Sequence, residues 1–425
     1  MSEHQQRFDG LVHQPSDDQA FLELLGDLEQ LAQPRRPTLE QQSTWEELER
    51  LLPSETVARV PDAGPLVDQI RGAWFGRVVG NMLGKPVENG KLWTAERLDV
   101  YLRGVDALPL VDYIPVDASE AHALGFLPNW TETTRGRVDG SSRDDDIDYT
   151  ILNLHVLERY GRDFTTADVA ATWLELIPFH QTYTAERAAY RNLVLGVPAE
   201  AAGGTANPYR EWIGALIRAD VFGMVCPGQP RRAAALAWKD AWLSHRDDGL
   251  YGEMWAAALV AAAFGAVDAR SALDESVRHV PEHSRLAREV GVVMSDHAAG
   301  LSWDEAIARL GARHSGRNWV HVLNNVGTIT AGLLWGDGDF SATIGLTVRG
   351  GLDTDSNAAT AGAVAGILGG FDAIGSHWVT PLRGTLRSAI HGFDRSSIDE
   401  LAERTTAIAR LREPHTERVL AGEGS

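Results

Sequence analysis

The chain has 425 residues, of which 44% are hydrophobic, enough to bury a sizeable core. Acidic residues outnumber Lys and Arg by 59 to 39, so the formal net charge is −20. This balance disfavours nucleic acid and anionic membranes as partners, because surfaces that bind phosphate backbones present clustered Lys and Arg. A small phosphorylated ligand stays open, since a local pocket can hold one.

The single cysteine and the lack of long apolar runs indicate the cellular compartment in which the protein is expected. Cys226 is the only cysteine, which excludes an intramolecular disulfide and a structural zinc site built from several thiolates. The first ten residues lack the basic and apolar regions of a signal peptide. No apolar run reaches the ~18 residues typical of a membrane span. We therefore expect a soluble, cytoplasmic protein that binds neither a membrane nor nucleic acid.

Residues 1–60 differ in composition from the rest of the chain, being rich in Gln, Glu and Asp and interrupted by prolines. Two short amphipathic segments, residues 21–31 and 45–52, predict a helical extension that packs on the main body or is tethered to it. Disorder in parts of this extension is the alternative interpretation. The main domain is predicted over residues 66–415.

The hydrophobic pattern of the main domain is that of helices. Residues 71–83 alternate small and large apolar side chains, which predicts a buried helix whose glycines permit close packing. Residues 100–142 contain several Gly and Pro residues, and we expect loops and short helices there, over a site. Residues 147–160 have a wide apolar face at helical spacing. Further helices are predicted over residues 233–243, 251–264, 284–295, 303–310, 322–334 and 357–368.

Alternating Val, Ile and Thr over strand lengths is nearly absent from the sequence. The pattern therefore predicts an all-α protein, an orthogonal multi-helix bundle with a central metal-binding cleft. The Gly362-x-x-x-Gly366 spacing in the last predicted helix indicates tight packing against another helix in a soluble chain.

Two acidic segments stand immediately before predicted helices. Residues 141–146 read Ser-Ser-Arg-Asp-Asp-Asp, and residues 350–356 read Gly-Gly-Leu-Asp-Thr-Asp-Ser. Helix capping explains one or two of these acids, because Asp and Ser are favoured N-caps and a negative charge there gains ~0.3–1 kcal/mol. Three consecutive carboxylates repel one another, however, and burial would require a cation to offset their desolvation. From residue types alone, capping and metal binding both stay open.

The ligand types define the class of metal that such a site would bind. Carboxylates and hydroxyls without neighbouring His or Cys suit hard cations such as Mg²⁺, Mn²⁺ or Ca²⁺. Acids from two helix ends can hold two ions ~3.5–4 Å apart, a spacing at which paired metals activate oxygen. A third segment, residues 80–88, ends a predicted helix at Gly84 and Pro86 and places Glu88 in a constrained loop. A surface glutamate is the alternative for Glu88.

In this order, the three segments resemble the motifs of the ADP-ribosylglycohydrolase family. Residues 80–88 match the family's early Gly-Asp-x-x-Gly-x-x-x-Glu stretch, with Asn81 where Asp is usual. Residues 350–356 match its late Gly-Gly-Asp-Thr-Asp-Thr motif, with Leu352 inserted and Ser356 in place of the final Thr. The resemblance covers roughly residues 66–390, and the late motif is its most specific part.

The middle motif departs most from the family pattern. The sequence Asp144-Asp145-Asp146-Ile147 stands where the family has Thr-Asp-Asp-Thr, and either Arg143 or Asp144 takes the first Thr position. We assign that position to Asp144, because a carboxylate can ligate a cation and a guanidinium cannot. This departure from the family motif makes the identity of the substrate less certain, whereas it affects the expected fold little.

The resemblance implies a metal-dependent hydrolase that cleaves the N-glycosidic bond of an ADP-ribosylated protein or a related ribosyl compound. It implies that Glu88 is the catalytic residue that acts as general base for the attacking water or positions it at the anomeric carbon. Two Mg²⁺ ions, or Mn²⁺ in their place, would be held by a set of carboxylates and one hydroxyl: Asp144, Asp145, Asp146, Asp353, Asp355 and Ser356.

Two other functions are alternatives. The same dinuclear site can serve a hydrolase of a free nucleoside, nucleotide or other glycoside, or the chain can be a non-catalytic binding relative. For substrate contacts, Asn129, Trp130 and His245 are weaker candidates, since a structural Trp and a capped or packed His are the better explanations of the latter two.

Overall fold

The structure is a computed structural model that describes residues 44–52 and 63–411, with a few single residues before position 44. The predicted helical segment 21–31 lies for the most part outside the described residues. The α-helices are α1 Trp45–Glu49, α2 Ala63–Gly84, α3 Ala95–Gly104, α4 Ala121–Leu124, α5 Trp130–Thr133, α6 Asp145–Tyr160, α7 Thr166–Leu176, α8 Thr184–Val194, α9 Ala199–Ala202, α10 Asp220–Met224, α11 Pro230–Ala241, α12 Asp248–Ala263, α13 Ala269–Ser276, α14 Arg285–Ala298, α15 Trp303–Arg313, α16 Val322–Trp335, α17 Phe340–Arg349, α18 Thr354–Gly369, α19 Ser376–Val379 and α20 Ile398–Ala409.

The remaining regular structure is short. Single 3₁₀ turns span Lys85–Val87, Phe179–Gln181, Ile213–Arg218, Val277–His279, Phe371–Ala373 and Thr380–Leu382. The strands within the described ranges are β1 Thr385–Leu386 and β2 Ser396–Ser397, which pair antiparallel. The all-α prediction is confirmed. No helix among the described residues is both long and apolar enough to cross a bilayer.

Helices α2 and α18 form the centre of the bundle and run antiparallel in close contact. Glycines recur every fourth residue along α2, from Gly72 to Gly84, and face Gly366, Gly362 and the residues that precede them on α18. A Cβ atom on any of these α2 glycines would overlap a backbone carbonyl of α18. Residues four apart lie on one face of a helix, so the glycines make a groove in which the partner backbone lies. Tight packing at the predicted Gly362-x-x-x-Gly366 pair is thus observed.

This close approach yields a stability prediction. Gly76→Ala should destabilise the protein by about 1–3 kcal/mol or more, because overpacking a closed interface forces backbone shifts, and the carbonyl of Gly362 cannot move independently of α18. Gly291→Ala is the matched control: this glycine lies within α14 with open space around it, so alanine should gain about 0.5–1 kcal/mol. The measurement is the free energy of unfolding of both variants in urea. Equal values for the two variants would contradict the close packing described for Gly76.

The described part of the N-terminal extension contacts the main body. Helix α1 begins at a capping box formed by Thr44 and Glu47, an arrangement that satisfies two free backbone N–H groups. Leu48 is fully buried, and the Trp45 ring lies 6.4 Å from that of Trp238 on α11. The second amphipathic segment therefore packs by its apolar face.

Candidate metal and active site

The first turns of α6 and α18 meet beside the last turn of α2. The hydroxyl of Thr354 donates to the carbonyl of Gly84 at 2.8 Å, which joins α18 to α2. The amide of Asn81 on α2 donates to Asp146 Oδ2 at 2.9 Å, which joins α2 to α6. The hydroxyl of Ser356 lies 3.3 Å from the same Asp146 oxygen. Three helices from distant parts of the sequence thus bring the acidic segments together.

One of the acids does cap a helix. Asp144 is the N-cap of α6, and its Oδ1 accepts from the backbone N–H of Asp146 at 2.9 Å. Asp353, the N-cap of α18, makes no side-chain cap bond; its Oδ1 accepts instead from the Ser356 hydroxyl at 3.0 Å. A side-chain capping bond therefore accounts for Asp144 but not for Asp353.

A cleft of about 540 Å³ opens over these helix ends. It brings together all the predicted acids and Glu88, with other polar and aromatic side chains. Prominent among its lining residues are Lys85, Glu88, Lys91, Asn129, Arg143, Asp144, Asp145, Asp146, Tyr183, Glu186, Trp212, Trp319, Asp353, Asp355 and Ser356.

The deepest carboxylates in the cleft lack partners for part of their surface. Asp146 and Asp355 are each 2% exposed, and Oδ1 of each is buried without a hydrogen bond. Carboxylate oxygens of Glu88, Asp144 and Asp355 also come within 4.8 Å of one another. An ionised carboxylate in such a place is costly unless a cation accompanies it. Oxygen donors of this kind fit a hard divalent ion of the Mg²⁺ class.

Burial and mutual repulsion shift the protonation of this cluster. Desolvation, followed by the charge of Asp355, raises the pKa of Asp146, Asp353 and Glu88 well above their ordinary values. Desolvation also raises the pKa of Asp145. A bound cation acts in the opposite direction, because it favours the ionised form of each neighbour.

A pH dependence follows from these raised pKa values. The carboxyl groups favour folding below the unfolded-state pKa of about 4 and lose that contribution as the pH rises through their higher folded-state values. A divalent ion must displace their protons, so its stabilising effect should grow with pH. The rise in Tm caused by Mg²⁺ should be larger at pH 8 than at pH 5.5. An equal or larger rise at pH 5.5, measured by differential scanning fluorimetry, would contradict this assignment.

Two basic residues in the cleft are partnered by acids, and the sequence analysis did not predict either pair. Lys85, 7% exposed, forms an ion pair with Asp144 Oδ2. Arg143 forms an ion pair with Asp148 at 2.7 Å. Lys85 lies between Gly84 and Glu88 in the early motif, and this position could have marked it as a residue of the site. Arg143 lies beside the acids but neutralises Asp148, a residue outside the predicted ligand set.

Behind the cleft wall lies a buried ionic network that no motif indicated. Arg218 is fully buried and donates to Glu186 Oε1 at 2.7 Å and to the carboxylate of Asp240. Glu186 reaches the cleft, and burial raises its pKa to about 7 despite the opposing charge of Arg218. The Ser244 hydroxyl accepts from Arg218 at 2.8 Å, so the network extends to Ser244.

Of the weaker candidates for substrate contact, the structure places only Asn129 in the cleft wall, with its buried Oδ1 unpartnered. Trp130 and His245 do not line this cleft. The Trp130 ring lies outside the cleft lining and is covered by the guanidinium of Arg137 at 4.8 Å. His245 is fully buried behind Glu186, with Nε2 4.0 Å from Glu186 Oε1 and Nδ1 2.8 Å from the Ser244 hydroxyl.

A second group of possible metal ligands lies away from the acidic cleft. Ligand atoms of Glu211, Asp248 and His321 fall within 4.8 Å of one another. Arg285 forms ion pairs with both Glu211 and Asp248, the latter at 2.8 Å. The guanidinium therefore already supplies the positive charge that this group requires.

Comparison with known proteins identifies the family. The model of the ADP-ribosylglycohydrolase family matches residues 62–416. The chain therefore belongs to the ADP-ribosylglycohydrolase family and is a glycosyl hydrolase. A solved structure described as an ADP-ribosylglycohydrolase-related protein complex is similar at 19% identity, covering 81% of this chain and 98% of its own, with a TM-score of 0.47. No curated protein matches the sequence.

Proposed function

We propose that the protein uses a hard divalent cation, Mg²⁺ or Mn²⁺, to hydrolyse the N-glycosidic bond of an ADP-ribosylated protein or a related small ribosyl compound. The observation that carries this proposal is the pair of unpartnered, deeply buried carboxylate oxygens on Asp146 and Asp355, beside Glu88 in one cleft. Asp144, Asp145, Asp353 and Ser356 complete the predicted set of oxygen donors. When bound, such a cation supplies Lewis-acid polarisation of ribose and water oxygens.

Glu88 is the proposed base. It is only partly buried, follows the 3₁₀ turn Lys85–Val87, and faces the cleft beside the acids. In the reaction, a water oxygen forms a bond to the anomeric carbon as the bond from that carbon to nitrogen breaks. Glu88 takes a proton from the water, and the leaving nitrogen takes up a proton from solvent, so that the reaction consumes one water and no net proton. A carboxylate whose pKa is raised by burial is a better proton acceptor once ionised.

Aromatic side chains around the cleft support a substrate with a flat ring. Tyr183, Trp212 and Trp319 all contribute to its lining. Their rings offer apolar faces for a nucleobase or for the protein side chain that carries the ribose. These residues come from separate loops, which is why no sequence motif marked them.

The test is a substrate panel with product analysis. The panel contains ADP-ribosylated proteins, free nucleotides, free nucleosides and simple glycosides, each with Mg²⁺ or with EDTA. We expect release of a product with a free anomeric hydroxyl from a ribosyl substrate, and loss of that product in EDTA. Cleavage only of nucleosides or simple glycosides would favour the alternative substrate classes. No product from any compound, or product unaffected by EDTA, would reject the proposal.

A further inference from the structure

Lys85 occupies the interior of the acidic site. It follows α2 directly, in the 3₁₀ turn Lys85–Val87, and is 7% exposed. Its ammonium group pairs with Asp144. The cleft that Lys85 lines also contains Glu88, Asp145 and Asp146, so the ammonium lies among several carboxylates. A buried lysine is costly unless it is paired, so this position is held by the acids around it.

The ion pair removes Asp144 from the set of free ligands. Asp144 Oδ1 accepts the capping hydrogen bond from the Asp146 backbone N–H at 2.9 Å. Asp144 Oδ2 is the atom that pairs with Lys85. Both oxygens are therefore committed, although the sequence analysis assigned Asp144 to a metal.

Unpartnered oxygen atoms remain on two other acids of the cluster. Oδ1 of Asp146 and Oδ1 of Asp355 have no hydrogen-bond partner and are fully shielded from solvent. Asp146 Oδ2, in contrast, already accepts from Asn81 at 2.9 Å. Within one site, Asp144 thus receives a positive charge from Lys85, whereas Asp146 and Asp355 each keep an oxygen that no donor or cation satisfies.

We propose that the Lys85 ammonium takes the place of one of the two divalent ions, so that the site binds a single ion on the side of Asp146 and Asp355. The proposal rests on the proposed metal-dependent function. An ammonium supplies positive charge and hydrogen bonds but repels a second divalent ion close by. The expected number of ions is thereby revised from two to one. Lys85 acts as a positioning residue that holds Asp144 at the start of α6.

The number of metal ions bound per chain tests the proposed role of Lys85. Purified protein is equilibrated with Mn²⁺, bound metal is measured by equilibrium dialysis, and frozen samples are examined by electron paramagnetic resonance. We expect one ion per chain and the spectrum of an isolated Mn²⁺ ion. Lys85→Met should release Asp144, so that a second ion binds and the spectrum becomes that of a spin-coupled pair. Lys91→Met is the matched control, because Lys91 lines the same cleft but is exposed and makes no ion pair within the described chain. It should still bind one ion.

The outcomes separate this proposal from the function on which it rests. Two coupled ions in the unaltered protein would overturn the role of Lys85 and leave metal-dependent hydrolysis intact. No bound ion would overturn both. A folded Lys85→Met variant that still binds a single ion would show that Lys85 excludes nothing. Should that variant fail to fold, as judged by circular dichroism, the stoichiometry of the unaltered protein still decides the question.

Discussion

Asp355→Asn should lose most of the stabilisation that Mg²⁺ or Mn²⁺ gives to the folded protein. An ion present at a hundred times its Kd stabilises a protein by ~2.7 kcal/mol if it binds only the folded state. The variant keeps its shape but offers a weaker ligand at the position whose Oδ1 has no other partner. Asp353→Asn should weaken the response in the same way.

The metal-free form of Asp355→Asn provides a second readout. The charge of Asp355 raises the pKa of Asp146, Asp353 and Glu88, so it repels all three carboxylates. Removing it should leave the metal-free protein as stable as before, or more stable. If the role of Asp355 were purely structural, the substitution would instead lower the stability of the metal-free protein. Asp337→Asn, at an exposed acid, is the control. A full metal response in Asp355→Asn would show that the ligand assignment is wrong.

Glu88→Gln should lower turnover by ~10²–10⁴-fold, the usual contribution of a general base. Glutamine retains the shape of the side chain but cannot accept a proton from water at neutral pH. Because Glu88 lies outside the proposed ligand set, the variant should fold, respond to metal and bind product as before. The measurement is the initial rate of ribosyl product release at saturating metal.

The matched control for Glu88 is Glu96→Gln, which changes an exposed glutamate on α3. It should retain full turnover. If Glu88→Gln also retained full turnover, the base would have to be another carboxylate of the cleft. If it lost both activity and metal response, Glu88 would belong among the ligands.

The long apolar helices were predicted well from the sequence, because the spacing of their apolar and small residues follows the faces that become buried. Residues 71–83 were predicted as a buried helix and residues 357–368 as a helix, and they lie within α2 and α18. Helix α8, Thr184–Val194, was not predicted. Its buried face includes Glu186, which is stabilised there by Arg218 from a distant segment. A buried charge interrupts the apolar periodicity, and its partner is not visible from spacing.

For the site, the motifs located the acids but could not assign all their roles. Glu88 and the two acidic segments do share one cleft. Whether Asp144 is a ligand depends on Lys85, which belongs to a different motif and meets Asp144 only when α2 and α6 pack. Trp130 and His245 were chosen by residue type, and their contacts with Arg137 and Ser244 depend on the fold.

We propose that a divalent cation binds between the first turns of α6 and α18. Anomalous scattering from crystals soaked in Mn²⁺ would show the position of such an ion. We expect a peak within coordination distance of Asp146 and Asp355 carboxylate oxygens, and none beside Glu211, Asp248 and His321, where Arg285 supplies the charge. A peak only at the latter group, or no peak at the acidic cleft at saturating Mn²⁺, would contradict it.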